Sequence, residues 1–260
     1  MTAPLFHLGP GDLDAAASGA LITLSGAEGH HASTVMRLKQ GEQVLLSDTV
    51  GRRAEGLVSS SGGGILEVQV DKVIDEPAIL PRLVLVQALA KDRRDLQGVE
   101  SATELGVDAV IPWQAERSVA RWKPERAAKK HAEWVTMVTT AAKQTRRTTI
   151  PAVRALHSTA QYRDALIESE GRIGAILLHE TDESSLTDAI TAHSQAGSAA
   201  EELHLIVGPE GGISDAEIEM LTGAGARVAR LGPTVLRSST AGPAGLAAAQ
   251  VLLGRWDWSR

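Results

Sequence analysis

The feature that most limits the fold is the run Leu83-Val84-Leu85-Val86-Gln87-Ala88-Leu89 and the pattern that follows it. A stretch with almost no polar side must be covered on both faces, which is the habit of a strand inside a parallel sheet. From there onward, short apolar runs alternate with segments of helical periodicity. A helix is expected over 92–105, ended by Gly106 as its C-terminal cap, and then a strand at 109–112. Pro124 opens a long helix reaching about Arg146, stopped ahead of Pro151. A helix at 160–168, strands at 173–178 and 203–207, a helix at 215–222, a strand at 227–231 and a terminal helix at 241–253 complete the series. Alternation of this kind predicts an α/β domain with a mostly parallel sheet.

The residues ahead of this run read differently. Strand-like segments begin at Gln43, Ala54 and Ile65, separated by Gly51 and by a Ser/Gly stretch at 59–64 that has the composition of a loop. A short helix is expected at 30–38. Residues 1–75 therefore form a small β-rich unit. The unpatterned segment 76–82, with Pro77 and Pro81, is the linker, and 83–260 is the second domain.

Composition narrows the chemistry. The chain has no cysteine, which removes disulfides, thiolate catalysis and Cys-ligated zinc together and fits a reducing compartment. The first 24 residues lack a basic head followed by an apolar block, so no signal peptide is expected. No apolar run reaches the roughly 18 residues of a membrane span, and the expected location is cytoplasmic. Net charge is −6, but it is unevenly placed: residues 81–160 hold 14 Lys and Arg against 8 Asp and Glu, while both flanking thirds are acidic. Phosphate contacts act over about a Debye length, ~8–10 Å, so this basic island matters more to a polyanion than the total does. A solvated helix face rich in Lys and Arg has the same composition. His30 and His31 are adjacent and point apart, with no third ligand in pattern, so no metal is expected. There is no G-x-S-x-G nucleophile turn either.

Two segments carry the chemistry. In the first, the apolar run from Leu205 enters Gly208-Pro209-Glu210-Gly211-Gly212, and a helix opens at Ser214 with Glu217 as its capping-box partner. Glycines there permit positive φ and let a ligand lie against the main chain, at the strand ends where parallel sheets bind ligands. A tight strand-to-helix turn alone would also use them. The spacing is neither a P-loop nor G-x-G-x-x-G. In the second segment, Leu231-Gly232-Pro233-Thr234-Val235-Leu236-Arg237-Ser238-Ser239-Thr240 follows another strand. Arg237 reads as a buried cation at an apolar-to-polar transition, able to hold a carboxylate or a uracil carbonyl. Ala241, Gly242, Ala244 and Gly245 leave the last helix nearly bare, as close packing on the sheet would also require.

These two segments, in this order, resemble the SPOUT-class RNA methyltransferases, and within them the bacterial family that makes 3-methyluridine in 16S ribosomal RNA. The similarity extends over nearly the whole chain. It includes His30-His31, Val35-Met36-Arg37-Leu38-Lys39 and Gly41, then Lys91, Ala102-Thr103-Glu104-Leu105-Gly106-Val107 and Ile111-Pro112, and finally Glu116-Arg117-Ser118 and Lys143-Gln144 through Arg147 to Pro151.

The resemblance implies a PUA-like β-barrel that helps hold RNA, followed by an α/β domain with a C-terminal trefoil knot, paired as a homodimer. It also implies S-adenosylmethionine as cofactor, cradled by three loops: Leu178, His179 and Glu180; Gly208 to Gly212; and Leu231, Gly232, Val235, Leu236 and Arg237, with Ser239 and Thr240 beyond. The activity implied is methylation of N3 of a specific uridine in the decoding region, on the assembled small subunit. A transfer-RNA substrate and a non-catalytic RNA-binding protein of the same fold are the alternatives. Arg237, as the one cation within those loops, is expected to stabilise the uracil anion. The family commonly has a glutamate where this chain has Ser239, so either that acid is dispensable or another group removes the proton, with Glu210 and a cofactor-proximal water as the candidates. Arg37, Lys39, Lys91, Arg93, Arg94, Arg117, Arg121, Lys143, Arg146 and Arg147 are the expected phosphate contacts. With one Phe, one Tyr and five Trp, backbone and shape readout is expected over base stacking.

Overall fold

The computed structural model describes residues 3–180, 184–195 and 200–257, so the outermost residues of both expected domains lie outside it. Its contacts divide the chain into two units, Met1–Ala78 with Ala142–Ile150, and Ile79–Ala141 with Pro151–Arg260.

The first unit is a five-stranded sheet built from β1 (Leu5–His7), β2 (Leu21–Leu24), β3 (Gln43–Ser47), β4 (Arg52–Gly62) and β5 (Ile65–Asp75), in the order β1-β3-β4-β5-β2. Its core is Phe6, Leu13, Leu24, Val44, Leu46, Val58, Leu66 and Val68. A fully buried aliphatic side chain is worth roughly 1.5–3 kcal/mol, so a sheet of this size can sustain a unit. The Ser/Gly stretch expected as a loop is strand through Gly62. Gly63 and Gly64, at φ 60° and 80°, make the hairpin in two residues, which leaves Ser60 and Ser61 free to pair with Glu67 and Leu66. The helix expected at 30–38 begins earlier, as α1 (Gly26–His30) running into a π-helical turn at His31–Val35. Its glycines argued against helix by propensity. Packing overrides this, because a Cβ on Gly29 would stand 2.5 Å from the carbonyls of Leu24 and Gly64.

Ala142–Ile150 lies in the stretch assigned to the second domain, yet groups with the first unit. The reason is hydrogen bonding: Ser47 Oγ donates to the carbonyl of Thr148, and the main chain of Ile150 donates to Thr49.

The second unit is an all-parallel sheet in the order β12-β10-β11-β6-β7-β8, with β9 beside β7. In chain order it comprises β6 (Arg82–Ala88), α2 (Arg94–Glu104), β7 (Ala109–Gln114), α3 (Pro124–Gln144), β8 (Ala152–Val153), β9 (His157–Ser158) and α4 (Thr159–Glu168). These are followed by β10 (Ile173–Leu178), α5 (Leu186–Gln195), β11 (Glu202–Val207), α6 (Asp215–Gly223), β12 (Arg227–Ala229) and α7 (Ser238–Leu252). The run that opened the sequence is central: Leu83 to Val86 are buried, between β11 and β7.

Several elements differ from expectation: β8 and β9 were not expected, and β7 runs on to Gln114. α5 was not expected at all, although Leu186, Ala189 and Ile190 are its buried face and Ser185 caps Asp188 at 3.1 Å. Polar and small residues on either side hid that short stripe. β12 ends at Ala229 rather than 231, and α7 starts three residues earlier than expected, at Ser238. α7 packs closely on the sheet, since a Cβ at Gly242 would come within 2.8 Å of Leu85. No helix among the described residues is long and apolar enough to cross a membrane.

Candidate functional site

The carboxyl ends of β10, β11 and β12 release three loops that converge on a cavity of about 580 Å³. After β10, the N–H of His179 still donates to Ala229, so the first loop leaves in line with the sheet. After β11, Gly208 turns so tightly that a Cβ on it would lie 2.5 Å from Ile213 Cγ1. Gly212 takes φ +73°, in the left-handed region that glycine enters freely, and its N–H closes the turn onto Pro209 at 2.9 Å. The expected capping box then starts α6, with Ser214 and Glu217 exchanging both bonds. After β12, the chain from Arg230 to Arg237 forms the third wall and delivers α7.

Leu178, His179, Glu180, Gly208, Pro209, Glu210, Gly211, Gly212, Leu231, Gly232, Val235, Leu236 and Arg237 all line this cavity, as the reading of the three loops expects. Ser239 and Thr240 are not among the lining residues. The early start of α7 carries them into its first turn, where the Ser239 main chain lies against α2 near Gly98 and Thr240 is exposed. Arg237 is exposed rather than buried.

Nor is Arg237 the sole cation. Arg94, Arg117 and Arg230 line the same cavity. Arg94 pairs with Glu210 at 3.6 Å, and Arg117 directs Nη1 to the carbonyls of Gly211 and Ile213, both at 3.5 Å. Two residues expected at RNA phosphates are therefore part of the cavity wall. Arg230 escaped notice because its strand was expected to run past it. Ser238 was also missed: it is 7% exposed, lines the cavity, and its Oγ has no hydrogen-bond partner. α7 has no side chain capping its N-terminus.

The other basic residues lie elsewhere. Lys91 and Arg93 are exposed in the turn ahead of α2, where Asp92 and Arg93 hold φ of 53° and 59°. Arg121 donates to the Glu116 carbonyl at 3.2 Å. In the first unit, Arg37, Lys39 and Arg146 are exposed, and Arg147 reaches Thr149 at 3.4 Å. Lys143 is committed to Glu28 in an ion pair, so its charge is already neutralised within that unit.

A family model described as an RNA methyltransferase domain matches residues 78–250, and one described as an RNA methyltransferase PUA domain matches 24–71. The protein named ribosomal RNA small subunit methyltransferase E in Mycobacterium bovis is 44% identical over 243 residues, covering 93% of this chain and 90% of its own. The chain belongs to the ribosomal RNA small subunit methyltransferase E family. A second member, from Bacillus subtilis, is 31% identical over 223 residues, covering 84% of this chain and 85% of its own. Among solved structures, the Neisseria gonorrhoeae methyltransferase E bound to S-adenosylmethionine superposes with TM-score 0.79 at 25% identity, covering 96% of this chain and 98% of that one. A Legionella pneumophila protein, also with S-adenosylmethionine, gives 0.75 at 26% over the same shares. A mixed α/β methyltransferase fold with a preceding PUA domain is thus the architecture of this family member.

Proposed function

We propose that this chain transfers the methyl group of S-adenosylmethionine to N3 of a specific uridine in the decoding region of 16S ribosomal RNA, on the assembled small subunit. The observation that carries the reading is the convergence of three strand-end loops on one cavity lined by a glycine turn, in which a Cβ on Gly208 would clash with Ile213 and one on Gly211 would crowd Arg117. That turn, the unpartnered Ser238 hydroxyl and the uncapped start of α7 suit a ligand rich in polar atoms that lies against main chain. The main chain of 208–212 and the loops at 178–180 and 231–237 would hold the cofactor.

When bound, S-adenosylmethionine supplies an electrophilic methyl group on a sulfonium. The protein must position the uracil in line and manage the proton on N3, because the nitrogen is a good nucleophile only after losing it. Arg237 is placed to stabilise the resulting uracil anion, since Arg94 and Arg117 already have partners in the cavity wall. Arg230 is the competing cation. Among the described residues, Glu210 and Glu180 are the carboxylates lining the cavity, and Glu210, which pairs with Arg94 at 3.6 Å, is the one proposed to take part in proton removal. The first unit would hold RNA through Arg37, Lys39, Arg146 and Arg147, and the second through Lys91, Arg93 and Arg121, giving an affinity that falls steeply with salt. A trefoil knot, a homodimer and a cytoplasmic location belong to the same reading.

The test is to incubate the protein and labelled S-adenosylmethionine with undermethylated small subunits, free 16S rRNA and tRNA. The label would then be mapped by reverse-transcription stops, because a methyl on N3 blocks Watson–Crick pairing. Label on one uridine of the small subunit is the expected result. Label confined to tRNA overturns the substrate, and no label anywhere favours a binding protein.

A further inference from the structure

Glu217 is 4% exposed and stands in the first turn of α6, where Oε2 accepts the N–H of Ser214 at 3.3 Å. That contact is the capping box. Its other oxygen, Oε1, leaves the helix altogether. It accepts the main-chain N–H of Glu116 at 2.9 Å and the hydroxyl of Thr159 at 2.6 Å. Thr159 in turn accepts the indole N–H of the buried Trp113 at 3.1 Å. Ser214 Oγ donates to the Glu116 carboxylate at 2.6 Å, so Glu116 is held at both its main chain and its side chain.

The next residue is Arg117. Its carbonyl oxygen and Cβ lie 3.1 and 3.2 Å from where a Cβ on Gly211 would stand, and its guanidinium borders the carbonyls of the same turn. Arg117 is exposed, and holding an exposed loop residue in one conformation costs main-chain entropy. Something must hold it there, and a helix cap needs no bond to Glu116. We propose that Glu217 is a positioning residue for the cavity: by gripping the Glu116 main chain it sets the Arg117 guanidinium against the carbonyls of Gly211 and Ile213 and fixes that wall for S-adenosylmethionine. The proposal rests on the reading of the cavity as the site of that cofactor.

A carboxylate is an acceptor at both oxygens and satisfies all three donors. In Glu217→Gln, the carboxamide oxygen can keep Glu116 and Thr159 while its NH2 turns toward Ser214, so the side-chain half of the capping box is lost, the bond from the residue-217 N–H to Ser214 Oγ remains, and the grip survives. Glu217→Ala loses both. S-adenosylmethionine binding is measured by calorimetry for each variant, with Arg117 present and in an Arg117→Ala background. Glu217→Ala is expected to weaken binding about tenfold, Glu217→Gln less than about threefold, and Glu217→Ala to add less than about twofold once Arg117 is gone, as for residues acting as one unit. Equal weakening in both backgrounds overturns the proposal, because general destabilisation does not depend on Arg117.

Hydrogen exchange on the unsubstituted protein gives a second measurement that needs no variant to fold. The Glu116 amide should exchange slowly, like the strand amides of β7, and exchange at the rate of an open loop overturns the grip. Unsubstituted protein with a slow Glu116 amide but no affinity for S-adenosylmethionine would overturn the cofactor reading while leaving the Glu217 contacts in place.

Discussion

At the amino end of β11 the polar side chains close on one another, whereas at its carboxyl end they face a cavity. Tyr162 donates to His204 Nδ1 at 2.8 Å, His204 Nε2 donates to Glu202 at 2.8 Å, and Arg154 pairs with the same carboxylate through both of its terminal nitrogens. Burial holds His204 below the ordinary histidine value and the Tyr162 hydroxyl well above its own. The hydrogen bond from His204, with Arg154 beside it, brings Glu202 down to about 2. Just beyond Val207, the last residue of β11, the chain turns through glycines, Arg230 and Arg237 line open space, and the Ser238 hydroxyl has no partner. Polar groups satisfied inside the protein stabilise one arrangement, while those left over at a cavity are available to a ligand.

The sharpest way to break this contrast is at Arg237. Arg237→Ala should lower single-turnover methylation by about 100-fold or more, the scale of losing one charge-stabilising donor, with S-adenosylmethionine affinity within about threefold of normal. If Arg230→Ala costs more than Arg237→Ala, the assignment passes to Arg230. Next comes the glycine turn. Gly208→Ala places a methyl against Ile213, and overpacking of this kind costs about 1–3 kcal/mol; calorimetry should show cofactor affinity falling with it.

At the other pole, Tyr162→Phe leaves His204 Nδ1 buried without its donor. Urea unfolding should register a loss of about 1–3 kcal/mol, with cofactor affinity unchanged. Weaker binding without loss of stability would mean the two poles are not separate.

The smallest effect is on pH. His204 sits below its ordinary 6.5 when folded, so the unfolded chain takes the proton first; its contribution is intact above 6.5 and lost as pH falls below it. Glu202 follows the same sign lower down, its contribution present above 4.5 and lost toward about 2. Melting temperature should therefore decline through that range, and His204→Gln should flatten the upper part of the decline. A wild-type melting curve that stays level from pH 7 to 4 would remove this account of the ladder.

Much of the contrast could be read in the chain before any coordinates. The glycine turn at 208–212, the capping box of Ser214 and Glu217, and the buried strand from Leu83 are local patterns that declare themselves within ten residues. α5 was illegible because a stripe of Leu186, Ala189 and Ile190 is too brief to stand out from polar neighbours. The polar ladder was illegible for another reason: Glu202 and His204 share β11, but their partners Arg154 and Tyr162 come from the segment after β8 and from α4, about forty residues or more away in the chain.

The parallel α/β class, the glycine-lined loop at 208–212 and the family of the chain can all be read from its residues in order. These depend on backbone conformation and on the period of burial, both of which are set by neighbours in the chain. It took the assembled fold to bring Arg94 and Arg117 into the cavity wall, to set Arg230 beside Arg237 on its lining, to turn Ser239 to α2, and to pair Lys143 with Glu28. Those outcomes depend on where strands and helices far apart in the chain are brought together, and no local pattern carries that distance.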